Sequence, residues 1–258
     1  MSLFGKSVAN TYKDLLQIDN SNNGLNATKD VKDGEGTSSA LKIGPSQALI
    51  SPASNGATTF AVNDASSNSI LKVNTNDSTV LVGSTQTYAN TQIQRFAVYD
   101  LQPSADTHTS MMVDGMYSSV APSITFGTDT DPATTYTLGS SEANAAGLTM
   151  ATWYIPAAIY IDEVRVIASG EASDTLNFHL FSYDMATGTG SGAGDLSNGV
   201  VVASTGSTLT IGNDRVTTTT LTVDTEEVAA DKVVIATVEN VGASTDVTAQ
   251  LIVKYHYQ

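Results

Sequence analysis

Between Ser38 and Gly83 a short apolar stretch recurs about every ten residues, and polar turns containing Gly or Asn separate the stretches. Such a pattern predicts short strands joined by turns. Strands this short and this thinly apolar cannot bury a core by themselves. The segment is therefore expected to need other copies of itself or a partner surface. The five stretches are Leu41–Ile43, Leu49–Ile50, Phe60–Val62, Ile70–Val73 and Val80–Val82.

The composition favours an all-β protein. Charged residues make up only 14% of the 258 residues, well below the usual share of about a quarter. Thr and Val suit half-exposed strands, while the abundant Ser, Asn and Gly suit turns. The absence of cysteine excludes a disulfide scaffold and a Cys-ligated metal. No apolar run reaches the roughly 18 residues that a transmembrane helix needs, so we expect no membrane insertion.

The net charge of −15 is divided unevenly along the chain. Residues 1–89 carry six lysines and seven acidic residues, a net charge of −1, whereas residues 90–258 carry five basic and nineteen acidic residues, a net charge of −14. A nearly neutral segment suits packing against other protein, and an acidic one suits exposure to solvent. Nucleic-acid binding needs a concentrated basic face, which the sequence of the acidic part does not indicate, so no nucleic acid is expected as a partner.

Changes in composition predict three segments. Residues 1–16 are the best helix candidate and read either as a frayed terminus or as an anchor that docks into a larger body. Residues 17–90 hold the repeated short strands, which predicts a stem of three copies around one axis or an arm lying over a neighbouring subunit. Residues 91–258 contain the only Trp and eight of the ten Tyr, so the main core is expected there. The proposed anchor residues are Leu3, Phe4, Tyr12 and Leu15.

Residues 91–258 are predicted to form a β-sandwich head, jelly-roll-like in type. Apolar and polar residues alternate in Tyr160–Ile167, Thr175–Tyr183 and Gln250–Tyr257. Further candidates, including one near 148–155, bring the expected number of strands to about ten to twelve. Regularly spaced strands without a helical period are typical of sandwiches and jelly rolls. The fold class is therefore all-β, with a short-stranded N-terminal stem or arm before the head.

No motif in the sequence indicates catalysis or a cofactor. His108, His179 and His256 occur without a GxSxG elbow, and the acidic pairs that could serve a glycosidase are expected by chance in so acidic a segment. Asp129 and Asp131 are a weak calcium candidate because two carboxylates lie two residues apart in a turn, although Asp-Pro is also a common way to start a turn. The acidic pairs are Asp162/Glu163, Glu171/Asp174 and Glu226/Glu227.

Parts of both regions resemble the virion proteins of marine tailed bacteriophages. In the N-terminal region the resemblance covers SVANTYKDLLQIDNSNNGLNATKDVKDGEGTSSALKI (7–43) and TTFAVNDASSNSILKVNTNDSTVLVG (58–83). In the head it covers TWYIP (152–156), IYIDEVRVIASG (159–170) and DTLNFHLFSYD (174–184). These motifs are structural and carry no activity. The resemblance implies a virion location and trimers, as a fibre-like or capsid-decorating protein.

The sequence as a whole predicts a non-enzymatic virion structural protein on the exterior of a particle. It is expected to be a homotrimeric fibre or decoration that binds other virion proteins of the capsid or tail through its N-terminus. The alternative is a receptor- or glycan-binding adhesin of the tail, in which exposed loops such as Gly188–Asn198 contact a glycan of the host surface. The residues expected to form the inter-chain core of the stem are Leu41, Ile43, Phe60, Val62, Leu71 and Val73.

Overall fold

The computed structural model describes residues 16–18, 26–83, 85, 87–114, 124–171 and 174–258. The predicted anchor residues Leu3, Phe4, Tyr12 and Leu15 lie outside the described residues. The chain forms two compact units, Met1–Ala89 and Asn90–Gln258. In the described residues no helix is long and apolar enough to cross a membrane.

The first unit contains two separate four-stranded antiparallel sheets, each with its strands in chain order. The five predicted apolar stretches fall in five successive strands, β3 to β7. Aspartates fix two of the tight turns, as turn-forming Asp commonly does. The Asp33 carboxylate accepts the backbone N–H groups of Glu35 and Thr37 at 2.9 Å each, and the Asp64 carboxylate accepts those of Ser66 and Asn68 at 2.8 and 2.9 Å. The strands are β1 Gln17–Ile18, β2 Lys29–Lys32, β3 Ser38–Ile43 and β4 Ala48–Ile50 in one sheet, and β5 Phe60–Asn63, β6 Ser69–Asn74, β7 Thr79–Val82 and β8 Thr87–Tyr88 in the other.

The second unit is a sandwich of two antiparallel sheets. One sheet has the order β10-β20-β14-β15-β18, with β12 added to β20 and β16 to β14; the other has the order β11-β9-β21-β13-β17, with β19 added to β13. The elements are β9 Thr91–Leu101, β10 Thr109–Ser110, β11 Met112–Val113, α1 Glu142–Ala151, β12 Trp153–Tyr154, β13 Ile159–Gly170, β14 Thr175–Met185, β15 Leu196–Ser204, β16 Leu209–Thr210, β17 Thr217–Thr220, β18 Thr222–Val223, β19 Glu227–Val228, β20 Val233–Asn240 and β21 Val247–Tyr257.

The main core fills the space between these two sheets. Phe178 and Leu180 of β14 contribute from the seven-stranded sheet, and Val164 and Leu251 contribute from the six-stranded sheet. All four side chains are fully buried. Trp153 packs against this core beside Phe96, with ring centroids 6.3 Å apart. The all-β class and the sandwich predicted from the sequence are confirmed.

A second core covers the other face of the seven-stranded sheet. Phe181 and Tyr183 alternate with the main-core residues of β14, so they point to this opposite face. They pack with Ile124 and Phe126 from the segment before α1 and with Leu148 of α1 itself. The seven-stranded sheet is therefore buried on both faces.

The helix α1 corrects one prediction from the sequence. A strand was expected near 148–155, but residues up to Ala151 are helical and only Trp153–Tyr154 pairs, with β20. The helical sequence, EANAAGLTMA, contains four alanines and no Val or Ile. Alanine has the highest helix propensity, and Thr149 is the one β-branched residue in the helix that would favour a strand.

Candidate assembly interface

The sheet β5–β8 brings most of the predicted stem residues onto one face. Phe60 pairs with Val73, and Val73 pairs with Val80; in the next row Val62 pairs with Leu71, and Leu71 pairs with Val82. Because alternate residues of a strand share a face, these two rows form a continuous apolar surface. We call it the β5–β7 apolar face: Phe60, Val62, Leu71, Val73, Val80 and Val82.

The β5–β7 apolar face is not buried within its own unit. Phe60 remains 39% exposed and Val62 45% exposed, while Leu71 and Val73 in the central strand are only half-buried. Large aliphatic and aromatic side chains left at a surface in one cluster are typical of interaction sites. This face therefore leaves apolar area that a partner could remove from water.

The other N-terminal sheet has a smaller surface of the same kind. Leu41 pairs with Ile50, and Ile43 pairs with Ala48, so the two predicted stem residues of β3 share a face with two residues of β4. Leu41 is 36% exposed and Ile50 46% exposed. On the opposite face Lys42 forms an ion pair with Asp30 at 3.3 Å. The sheet thus has one apolar face and one charged face.

The described residues of the N-terminal unit bury very little of their apolar surface. Among its described residues only Val31 and Asn74 are buried, whereas the head buries dozens of side chains. All six predicted stem residues in the described part lie on the two apolar faces, and none of them is buried. The sequence argument did not identify Val80, Val82 and Ile50 as members of these faces, although their alternation within β7 and β4 could have shown it.

A buried histidine pair lies on the outer face of the seven-stranded sheet of the head. The rings of His108 and His179 meet edge to face with centroids 5.0 Å apart. His179 Nε2 lies 3.2 Å from Asp131 Oδ1, and His108 Nε2 donates to the Asp129 carbonyl at 2.8 Å. Burial, with His108 beside it, lowers the pKa of His179 to about 4, against the opposing effect of Asp131. His179 is therefore neutral at pH 7.

The histidine pair borders a small cavity of about 280 Å³, lined by Asp131, Asn177, His179 and residues 204–208. This volume is just below the range of ligand sites, roughly 300–1,000 Å³. Asn177 is already engaged, because its side-chain amide donates to Glu239 Oε2 at 2.7 Å. The sequence could not pair His108 with His179, since β10 and β14 are distant in the chain and meet only through β20.

The other candidate chemical groups are mostly held by neighbours in the fold. Asp162 accepts a hydrogen bond from His256 Nδ1 at 2.9 Å, and Glu163 pairs with Arg165. The Asp131 carboxylate faces His179, and Asp129 accepts the hydrogen bond of His108 with its backbone carbonyl and not with its carboxylate. Across the described ranges, no three His, Asp or Glu side chains are grouped so that they could hold a metal ion. The geometry adds no support to calcium binding at Asp129 and Asp131.

No protein-family model and no curated protein matches this chain. Among solved structures, a remote likeness exists to the structure of infectious bursal disease virus, Gx strain, at 10% identity and a TM-score of 0.24. The match covers 66% of this chain and 34% of the other chain, so it spans about a third of that protein. A likeness this weak carries no argument about function.

Proposed function

We propose that the chain is a non-enzymatic virion structural protein whose N-terminal unit joins copies of the chain and whose acidic head is displayed on the outside of the particle. The observation that carries this proposal is the β5–β7 apolar face in a unit of whose described residues only Val31 and Asn74 are buried. The head, by contrast, has two hydrophobic cores of its own. The N-terminal unit therefore suits contacts between copies of the chain, and the head suits exposure to solvent.

Three copies of the chain are the proposed occupants of the two apolar faces. Burying apolar surface contributes about 25 cal/mol per Å², and like faces can be buried against one another around a shared axis. A fibre or capsid decoration of a tailed bacteriophage agrees with the sequence resemblance. Contact with other virion proteins through residues 1–16 belongs to the same proposal.

Self-association of the full chain, compared with the head alone, tests the joining role. Sedimentation equilibrium of the purified full chain should give the mass of a trimer, and residues 90–258 should remain monomeric at the same concentration. A full chain that stays monomeric at tens of micromolar would contradict the proposal. Labelling of intact particles with antibodies against residues 90–258 tests the exterior location, and absence of the chain from purified particles would refute the virion role.

A glycan-binding adhesin is the second candidate, favoured by the cavity beside His179. Its lining of hydroxyl, amide and carboxylate groups could hydrogen-bond a sugar, although the lining contains no Trp, Tyr or Phe ring on which a sugar could stack. Residues 90–258 should then bind defined glycans on an array. Asp131→Asn should weaken that binding, while Asp214→Asn, elsewhere in the head, should not. A head that binds no glycan would leave the structural role alone.

A further inference from the structure

The two N-terminal sheets contain the same tight turn, at Asp33 and at Asp64, 31 residues apart in the chain. In both turns the Asp carboxylate accepts the backbone N–H groups of the second and fourth residues after it, at 2.8 or 2.9 Å. The backbone N–H of each Asp donates to the carbonyl of that fourth residue, at 3.1 and 2.9 Å. The third residue, Gly36 or Ser67, has a positive φ of 89° or 67°. Two turns that share all of these bonds indicate a repeated structure.

The strands around these two turns also match, pair by pair. In each sheet a β-bulge interrupts the pairing just before the turn, between Asp30 and Lys32 or between Val62 and Asn63. We call residues 29–50, from β2 to β4, the first module and residues 60–82, from β5 to β7, the second module. The N-terminal unit thus contains one structural module twice. The equivalent pairs are Lys29–Ile43 and Phe60–Val73, Asp30–Lys42 and Ala61–Lys72, Leu41–Ile50 and Leu71–Val82, Lys42–Leu49 and Lys72–Leu81, and Ile43–Ala48 and Val73–Val80.

The apolar faces of the two modules occupy equivalent positions of this repeat. Leu41 of the first module corresponds to Leu71 of the second, and Ile50 corresponds to Val82. Leu41, Ile50 and Val82 remain 36%, 46% and 38% exposed. A repeat unit made of one sheet layer cannot bury its apolar face alone, and roughly three stacked units are needed for stability. The described residues contain two modules, so other copies of the chain can supply the missing layers.

We infer that each module binds the equivalent module of a second copy of this chain, so that the N-terminal unit joins chains at two separate levels. This inference rests on the proposed three-fold self-assembly. Around a three-fold axis all chains run in the same direction, and each residue faces its own copies. First modules therefore meet first modules, and the β5–β7 apolar face of one chain meets the β5–β7 apolar face of the next. The residues that meet in the first module are Leu41, Ile43, Ala48 and Ile50.

The size of the faces explains why the module occurs twice. Three strands about 4.8 Å apart and about four residues at about 3.3 Å each give one face on the order of 200 Å². One face from each of three chains buries on the order of 600 Å² in total, below the roughly 1,000 Å² of a specific interface, whereas two faces per chain bury about 1,200 Å². Once one level has formed, the second forms at a raised effective concentration. The first module has Lys29 where the second has Phe60, so the second is expected to contribute more.

Matched substitutions at equivalent positions of the full chain test the need for both levels. By sedimentation equilibrium, Leu41→Thr and Leu71→Thr should each weaken assembly at least about ten-fold, and the double variant should lose about the product of the two factors. The controls Leu49→Thr and Leu81→Thr lie on the opposite faces and should assemble like wild type. A Leu41→Thr chain that assembles like wild type, or controls that weaken assembly equally, would overturn the inference and leave the proposed function intact. A monomeric wild-type chain would overturn both.

Cross-linking through single introduced thiols tests which modules meet. The chain has no cysteine, so each variant reports one position. Unlabelled Leu41→Cys chains are mixed with ¹⁵N-labelled Leu71→Cys chains, allowed to assemble and treated with a short bismaleimide. Cross-linked pairs should be wholly unlabelled or wholly labelled, because first modules meet first modules and second modules meet second ones. Leu49→Cys, on the opposite face of the first module, should give few pairs and serves as the control. A majority of mixed-isotope pairs, or no pairs from assembled chains, would refute the inference.

Discussion

Replacement of Phe60 by threonine should weaken assembly of the full chain. Phe60 lies in β5, pairs with Val73 and remains 39% exposed in the isolated chain. A phenylalanine has about 200 Å² of accessible surface, so about 80 Å² remains for a partner to cover. At about 25 cal/mol per Å² this area contributes about 2 kcal/mol per chain.

In a trimer the loss is counted three times, which amounts to about 6 kcal/mol per assembly. The association constant should then fall by about four powers of ten, because each 1.4 kcal/mol is a factor of about ten. The concentration at half-assembly varies as the square root of that constant. It should therefore rise roughly a hundred-fold.

The assay is sedimentation of the full chain across a range of concentrations, with circular dichroism to check the fold. Ile70→Thr is the matched control, because Ile70 is 52% exposed and alternates with Leu71, which places it on the opposite face of β6. Threonine keeps the preference for a strand in both variants. Phe60→Leu should restore most of the association. Equal weakening by Phe60→Thr and Ile70→Thr, or no weakening by either, would refute the role of the β5–β7 apolar face.

Three further predictions concern the stability of residues 90–258, measured by chemical or thermal unfolding. Burial lowers the pKa of His179 from 6.5 to about 4, so the folded head holds this side chain neutral. Its contribution to the free energy of unfolding is complete above pH 6.5, and about 3 kcal/mol is lost as the pH falls towards 4. The variant His179→Gln should show a flatter dependence of stability on pH, and a profile unchanged from wild type would contradict this prediction. Gly199→Ala should destabilise the head by about 1–3 kcal/mol, because a Cβ would lie 2.5 Å from Tyr183 Cε1 and 2.8 Å from Thr134 Cα. The control Gly190→Ala, whose Cβ would meet nothing within 4 Å, should leave the stability unchanged. Equal effects of the two variants would refute the packing argument. Tyr183→Phe should lose about 1–2 kcal/mol by leaving the Ala133 carbonyl without its 2.7 Å hydrogen bond, and wild-type stability would show that this bond is dispensable.

The local pattern of the sequence was enough to predict five of the eight strands of the N-terminal sheets, β3 to β7, but not β1, β2 and β8. Each apolar stretch of two to four residues forms part of one strand. A turn follows every stretch, so each strand can pair with its neighbour in few alternative registers. Alternation also placed Phe60 and Val62 on one face of β5. What the pattern did not show was which strands pair with which: Val80 joins the same face only because β7 lies beside β6.

Long-range pairing explains the features of the head that the sequence did not reveal. Arg95 and Arg165 are distant in the chain, and they share a row only because Ile252 of β21 pairs with both. The His108–His179 contact depends in the same way on β20 between β10 and β14. The helix α1 was missed for a different reason, since its alanine-rich sequence was read by strand spacing and not by helix propensity.

The two units differ in how their stability must depend on concentration. A head with two cores of its own gains most of its free energy of folding within one chain, so we expect its stability to change little on dilution. A unit whose apolar faces stay exposed in one chain would gain stability from the proposed binding, by mass action. The nearly neutral charge of residues 1–89 removes the repulsion that would oppose such binding, while the acidic charge elsewhere keeps the exposed part of an assembly from aggregating. The division of charge and the division of burial thus favour the same arrangement: the N-terminal unit joins chains, and the head meets solvent.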